Sequence, residues 1–287
     1  MSVQIKAFFR KPSCTFSYLV SDPDTRCAAV IDPVLDYDAA AGRTGTTAAD
    51  AIITHVRVEK LMLDWILETH AHADHVSAAQ HIKKELGGKI AISAGIRQVQ
   101  ASFAKLYNIE TQVIADGRQF DHLFEDGEAF SIGNLAARIM ATPGHTSDSL
   151  TYVVSDAAFV GDTLFMPDTG TARCDFPGGD AGCLYDSIQQ ILKLPADTRL
   201  FMCHDYATGG REYKNETSVA EQRRANIHVH DGVSRDEFIK LRTARDKTLN
   251  VPALLFPAVQ INIRAGVLPL PEANGVSYLK IPLNANL

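Results

Sequence analysis

At 287 residues with 46% apolar side chains, the chain is long enough for one large domain or two small ones with a sizeable core. Its 28 basic and 34 acidic side chains leave a formal charge of −6, which argues against a nucleic-acid surface and against a polybasic membrane anchor. No apolar run reaches the roughly eighteen residues of a membrane span, and no basic, apolar and small-residue leader follows Met1, so the expectation is a chain neither exported nor membrane-spanning. The five cysteines, Cys14, Cys27, Cys174, Cys183 and Cys203, are odd in number and lack a Cys-x-x-Cys spacing. Reduced thiols used for packing in a cytosol-like compartment are expected.

Short strands are predicted over 4–9, 15–21 and 27–32, with Ser21-Asp22-Pro23-Asp24 as a turn and Asp32-Pro33 as a stop. They read as a β-meander at a sheet edge. The polar stretch 36–47, with Gly42 and Gly45, reads as a loop, and 48–60, carrying Ile52, Ile53 and Val56, as a helix on that sheet. A strand over 62–68 leads into Thr69-His70-Ala71-His72-Ala73-Asp74-His75. Val76, Ala79, Ile82 and Leu86 then follow at helical spacing, ending at Gly87-Gly88 with Lys83 and Lys84 in the last turn. Next come a strand over 90–93, a helix over 95–107 and a β-rich stretch over 112–142 that delivers Thr142-Pro143-Gly144-His145. Strands over 150–155 and 157–160 end in Gly161-Asp162, a long loop runs to Gly179, and a helix over 183–194 precedes a strand over 199–202 that ends in Cys203-His204. Helical stretches over 217–229 and 234–247 and an irregular, proline-rich tail complete the chain. No Pro/Ser/Gly-rich linker divides it. A single domain over 1–287 is expected, of α+β class, with two sheets face to face and helices outside. Residues 216–287 form a helical and extended C-terminal extension packed on that core.

Three imidazoles and a carboxylate within six positions dominate the pattern. On extended backbone His70 and His72 share a face, and Asp74 and His75 are expected at the helix start, where the dipole favours a carboxylate. A lone histidine beside an apolar strand is usually packed or solvated. Four ligand-type side chains in one strand-to-helix loop would instead repel or stand desolvated unless a cation gathers them. His145, Asp162 and His204 each follow the end of another strand, where layered folds build their sites.

With His70, His72, Asp74, His75, His145, Asp162 and His204 the chain resembles the metallo-β-lactamase superfamily, whose five-part signature it matches along its length. The resemblance implies the αββα sandwich and metal binding; the reaction stays open, because the superfamily spans zinc β-lactamases, glyoxalase II thioesterases, lactonases, RNA nucleases and iron oxygenases. Two zinc ions held by all seven ligands, with Asp162 bridging, would hydrolyse a carbonyl substrate. A single Fe(II) on two imidazoles and one carboxylate would leave adjacent positions open for substrate and O2.

The later segments resemble the persulfide dioxygenase (sulfur dioxygenase) branch, in its bacterial, longer-tailed form. These are Asp162-Thr163-Leu164-Phe165, the run from Gly170 to Gly179, Leu184-Tyr185, His204-Asp205-Tyr206, the run from Glu216 to Arg223 and Ile261-Asn262-Ile263-Arg264-Ala265-Gly266. Carried over residue by residue, the resemblance implies one Fe(II) per chain on His70, His145 and Asp162 as the catalytic centre. It leaves His72, Asp74, His75 and His204 to orient ligands and bound water. It implies glutathione persulfide and O2 as substrates, sulfite and glutathione as products, no NAD or flavin, a homodimer and a bacterial cytoplasmic setting. The carboxylates of such a peptide need fixed cations. Arg173 is the first candidate because a guanidinium grips a carboxylate bidentately, with Tyr206, Lys214 and Asn215 as further contacts and Arg264 as a weaker one. Cys174 lies in the same loop and is read as a wall residue. The alternative is a glyoxalase-II-like binuclear zinc thioesterase.

Overall fold

The structure is a computed structural model and describes residues 3–285. Among the described residues, fifteen strands and seven α-helices follow one another in chain order. The first half runs β1 (Gln4–Arg10), β2 (Thr15–Ser21), β3 (Cys27–Ile31), β4 (Val34–Asp38), β5 (Arg43–Gly45), α1 (Thr47–Val58), β6 (Met62–Leu67), β7 (Val76–Ser77), α2 (Ala79–Leu86), β8 (Lys89–Ser93), α3 (Ile96–Tyr107) and β9 (His122–Phe124). The second runs β10 (Ala129–Ile132), β11 (Leu135–Ala141), β12 (Leu150–Val154), β13 (Ala157–Phe159), α4 (Ala181–Ile191), β14 (Arg199–Phe201), β15 (Glu216–Ser218), α5 (Val219–Ala225), α6 (Arg235–Asp246) and α7 (Leu255–Asn262).

Two six-stranded sheets form, in the orders β1-β2-β3-β6-β8-β9 and β10-β11-β12-β13-β14-β15. Strands β3, β6, β8 and β9 are parallel, so each connection must cross over, and α1, α2 and α3 make those crossings on the outer face. In the second sheet only β13 and β14 are parallel, joined through α4. Sequence periodicity decides which face meets which. In β11, Leu135, Ala137 and Ile139 are buried while Ala136 and Arg138 are exposed, the two-residue alternation of a sheet with one covered face. In α1, Ala49, Ile52, Ile53 and Val56 recur at helical spacing and are buried against the first sheet.

Between the sheets, Tyr18, Ile31, Leu67 and Phe124 meet Ile139, Tyr152, Phe159 and Phe201. On the outer faces Ile66, Ile82 and Phe103 pack under the first set of helices, and Leu184, Ile188, Leu200 and Phe238 under α4 and α6. Each such side chain contributes about 1.5–3 kcal/mol on burial. This is a four-layered α+β sandwich, helices outside and sheets inside. No helix among the described residues is long and apolar enough to cross a membrane.

Four expectations from the sequence are corrected. The stretch 36–47 is not a loop: β4 and β5 form a hairpin there, and β7 pairs with β4 to make a small third sheet. Pairing is carried by backbone groups, which the charged side chains Asp36 and Asp38 hide from a pattern reading. Because Val76 and Ser77 are drawn into β7, α2 begins only at Ala79, and Asp74 and His75 lie in a loop rather than at a helix start. The helix expected over 217–229 is split, with Glu216–Ser218 pairing to β14 and α5 ending at Ala225. The tail is not irregular throughout, since α7 spans Leu255–Asn262. Its Pro257 sits in the first helical turn, where the missing N–H removes nothing.

Within the extension, the side chain of Arg242 is 1% exposed, with Nη2 at 2.6 Å and Nε at 2.8 Å from Oδ1 of Asp246 and Nη1 at 3.0 Å from the carbonyl of Thr171. Breaking a buried pair by removing one partner leaves an uncompensated charge. Asp246→Ala is therefore expected to lower unfolding stability by about 3–5 kcal/mol. Asp231→Ala, which opens the exposed pair with Arg223, should stay within about 0.5 kcal/mol. Urea midpoints of the two variants check this.

Candidate metal centre and its cavity

The ligand-type residues assemble where strands of both sheets end. Asp32 follows β3 with φ of 49°, a left-handed conformation that aspartate tolerates, and its carboxylate turns toward the loop after β6. It accepts from the Thr69 amide at 2.7 Å, from Thr69 Oγ1 at 3.0 Å and from His72 Nε2 at 3.0 Å. The second sheet approaches closely at Gly161, whose φ is 52°; a Cβ there would stand 2.6 Å from Thr69 Oγ1. Glycine before Asp162 is thus a condition for bringing the two sheets' ligands together.

Two groups of ligands result. His70, His145 and Asp162 converge so that Nε2 of His70 and of His145 lie 4.0 and 3.7 Å from Asp162 Oδ2. His72, Asp74, His75 and His204 form the other, with His204 Nε2 3.1 Å from Asp74 Oδ2 and 3.4 Å from Asp162 Oδ1. Asp162 thereby stands between them. Donors around one ion at about 2.1 Å can be no more than about 4.2 Å apart, and these separations fit.

Two of the imidazoles, His145 and His70, are set as lone-pair donors. His145 Nδ1 donates to the carbonyl of Arg173 at 2.6 Å and His70 Nδ1 to Thr69 Oγ1 at 3.1 Å, which leaves each Nε2 free. Burial, then the neighbouring imidazoles, hold His70 well below the ordinary histidine range. Burial and the charge of His72 bring His75 to about 4. At His72 burial opposes charge, but Asp32 and Glu68 reverse the balance and raise it well above the usual value. Of the eleven buried side-chain atoms that meet no hydrogen-bond partner among the described residues, six belong to this ligand set: His70 Nε2, His72 Nδ1, both nitrogens of His75, His204 Nε2 and Asp162 Oδ1. Each such orphan costs about 1–3 kcal/mol, and so many in one place match the donor set of a divalent cation.

Several supporting residues carry no motif. Besides Asp32, Glu68 bonds Ser77 Oγ beneath the loop, and Asp148 Oδ2 accepts from the Ala71 amide at 2.9 Å. Asn262, the last residue of α7, donates from Nδ2 to the carbonyls of His72 and His75, both at 2.8 Å, and accepts from the Ser77 amide at 2.9 Å. The strand-end position of Asp32 matches that of Asp162 and is a signal available in sequence. Nothing in the pattern marks Asn262 beyond a polar side chain inside an apolar run. At the rim, Arg211 bridges Asp168 and Asp205, so the loops after Asp162 and after His204 are tied together.

A cavity of about 340 Å³ opens over the ligands, with His145 and Asp162 of the first group and Asp74 of the second in its floor and Phe165, Phe176 and Leu249 in its walls. Of the expected substrate contacts, Arg173 and Tyr206 line it, and Lys214 and Asn215 do not. The Lys214 amide donates to Asp205, and the Asn215 carbonyl accepts from Met202 N and Tyr18 Oη on the far side of β14. Arg264 is buried at 8% exposure and bonds Gln112, away from the cavity. Cys174 is buried against Asp246, and burial pushes its thiol up to about 12, as suits a wall.

Two outcomes follow from this geometry. Asn262→Leu deprives three backbone groups of the metal loop of their partner and should weaken metal binding about 10- to 100-fold in chelator competition, whereas Asn274→Leu, in the exposed tail, should leave it unchanged. His228 Nδ1 accepts from the Thr171 amide, and burial, then Arg242 and Arg245, lower its pKa to about 4. A histidine depressed in the fold binds its proton more readily when unfolded, so the stability it contributes is complete above pH ~6.5 and is lost as pH falls toward 4. His228→Gln should flatten that part of the stability–pH curve in urea titrations.

Residues 12–204 match the metallo-beta-lactamase superfamily. A protein named a probable metallo-hydrolase, from Burkholderia pseudomallei, is 51% identical over 98% of this chain and 99% of its own length. Glyoxylase B2 of Dictyostelium discoideum is 48% identical over 98% of this chain and 97% of its own. The mitochondrial persulfide dioxygenase ETHE1 of Homo sapiens is 31% identical over 92% and 89%. The chain also spans 64% of the length of a longer beta-lactamase hydrolase-like protein of Agrobacterium fabrum. The crystal structure of ETHE1 from Myxococcus xanthus superposes with a TM-score of 0.74 at 30% identity, covering 92% of this chain and 100% of that one. By its sandwich, its strand-end ligands and these likenesses, the chain belongs to the metallo-beta-lactamase superfamily.

Proposed function

We propose that this protein is a glutathione-persulfide dioxygenase that works with one Fe(II) held by His70, His145 and Asp162. The observation that carries the reading is the convergence of two imidazoles and one carboxylate beneath a cavity with apolar walls. Likeness to the persulfide dioxygenase ETHE1 along most of the chain supports it. Bound there, Fe(II) would supply adjacent open positions at which a sulfur anion and O2 can meet. Glutathione persulfide, O2 and water become glutathione, sulfite and two protons; the outer sulfur is oxidised, O2 is reduced, and no NAD or flavin is required.

The chain's own part is positional. His145 is held by the carbonyl of Arg173, and His70 through Thr69 by Asp32, so both rings present Nε2 to one point. Phe165 and Phe176 line the approach and exclude water from it. Tyr206, whose ring lies nearly parallel to that of His204, places a hydroxyl at the rim as a donor to the peptide part of the substrate. His72, Asp74, His75 and His204 orient the loop and bound water in this reading.

A second reading is a binuclear zinc thioesterase. It is favoured by the closeness of those same four side chains, by Asp162 standing between the two groups, and by relatives with hydrolase and glyoxylase names. Metal analysis of protein purified without added metal, with O2 uptake on glutathione persulfide and hydrolysis of a glutathione thioester run in parallel, separates them. About one iron per chain and persulfide-dependent O2 uptake are expected; two zinc ions with thioester turnover would replace the first reading by the second. Asp162→Ala should abolish both iron retention and O2 uptake, because it removes the one carboxylate of the three-ligand group.

A further inference from the structure

Three arginines line the cavity, Arg173, Arg242 and Arg245. Two of them are already engaged. Arg173 grips Asp175 with Nε and Nη2 at 2.6 and 2.8 Å and donates from Nη1 to the carbonyl of Asn250 at 2.6 Å. Arg242 is buried on Asp246 and the carbonyl of Thr171. Arg245, in the last turn of α6, is exposed, and among the described residues its guanidinium has no carboxylate or carbonyl partner. No lysine among the described residues lines the cavity. The fork that the sequence assigns to Arg173 is therefore spent within the loop, and among the described residues Arg245 is the arginine of the cavity whose side chain has no such partner.

Its position has a chemical meaning. The floor of the cavity is buried and carries the donor group of His145 and Asp162, whereas Arg245, beside Leu249, Asn250 and Pro252, is exposed at the rim. A ligand whose sulfur reaches the floor presents its other end to Arg245. We infer that Arg245 binds a carboxylate of the substrate and makes the site selective for peptide persulfides that bear one, over persulfides without a charged end. This rests on the dioxygenase reading for the sulfur end, and on the geometry of the rim for the carboxylate end. A guanidinium that offers two parallel N–H donors and needs no rearrangement from another ion pair meets a planar carboxylate in the geometry that favours it.

The test is steady-state O2 uptake by the holoenzyme and its Arg245→Gln variant on three compounds: glutathione persulfide, its diethyl ester and 2-hydroxyethyl persulfide. For glutathione persulfide the variant should raise KM about 10- to 100-fold with kcat and iron content nearly unchanged, as expected for loss of a charged hydrogen bond. Arg245→Lys should recover part of the loss, and KM for the two carboxylate-free compounds should not move. Unchanged KM for glutathione persulfide, or an equal rise for all three, overturns the inference while leaving the dioxygenase reading intact. If the wild-type protein shows no persulfide-dependent O2 uptake, the reading of the sulfur end fails separately. Calorimetric binding of glutathione to wild type and Arg245→Gln then decides: weaker binding by the variant supports the carboxylate site, and equal or absent binding in both overturns it.

Discussion

The carboxylate of Asp32 is the constraint on which the site is assembled. It is almost fully buried, and it holds the amide and hydroxyl of Thr69 and the Nε2 of His72. Through Thr69 it also fixes His70, so one side chain at the end of β3 sets the direction of two imidazoles at the end of β6. Burying a carboxylate without such partners would be costly. Here the backbone amide, the hydroxyl and the imidazole satisfy it, and the first sheet's two central parallel strands are thereby locked in register at the point where they deliver ligands.

Chemistry and selectivity come from different parts of the chain. The donor groups are supplied by residues 70–204, at the ends of strands that belong to the sandwich itself. The rim is supplied by α6 and residues 249–252, which lean over the opening and are anchored by the buried pair of Arg242 and Asp246 on the Thr171 carbonyl and the Cys174 amide. Only Asn250 of this rim reaches a metal donor, and then indirectly: its carbonyl holds Arg173, whose own carbonyl accepts from His145 Nδ1.

Much of this is legible from the sequence, and the reasons are local. Strands such as β2 and β11 announce themselves by apolar runs or alternation, and the seven ligand types stand at strand ends where turns display them. What is not legible depends on contacts between distant segments. The hairpin of β4 and β5 is held by backbone pairing that leaves Asp38 and Arg43 exposed, and α7 is masked by Pro257, which its first turn tolerates. Arg173 reads as a free fork in the sequence because nothing there shows that Asp175 and the Asn250 carbonyl occupy it. The reverse holds for Arg245, which stands in an unremarkable polar helix and becomes distinctive only when its neighbours are seen to be paired elsewhere.

The hydrogen bonds from Asn262 to the carbonyls of His72 and His75 span 190 and 187 positions. During synthesis at about 5–20 residues per second, the histidine loop therefore emerges roughly 10–40 s before the residue that braces it. For that interval the carbonyls of His72 and His75 lack this partner, and both sheets can pair before it arrives. Full bracing of the ligand loop is thus a late event in the life of the nascent chain.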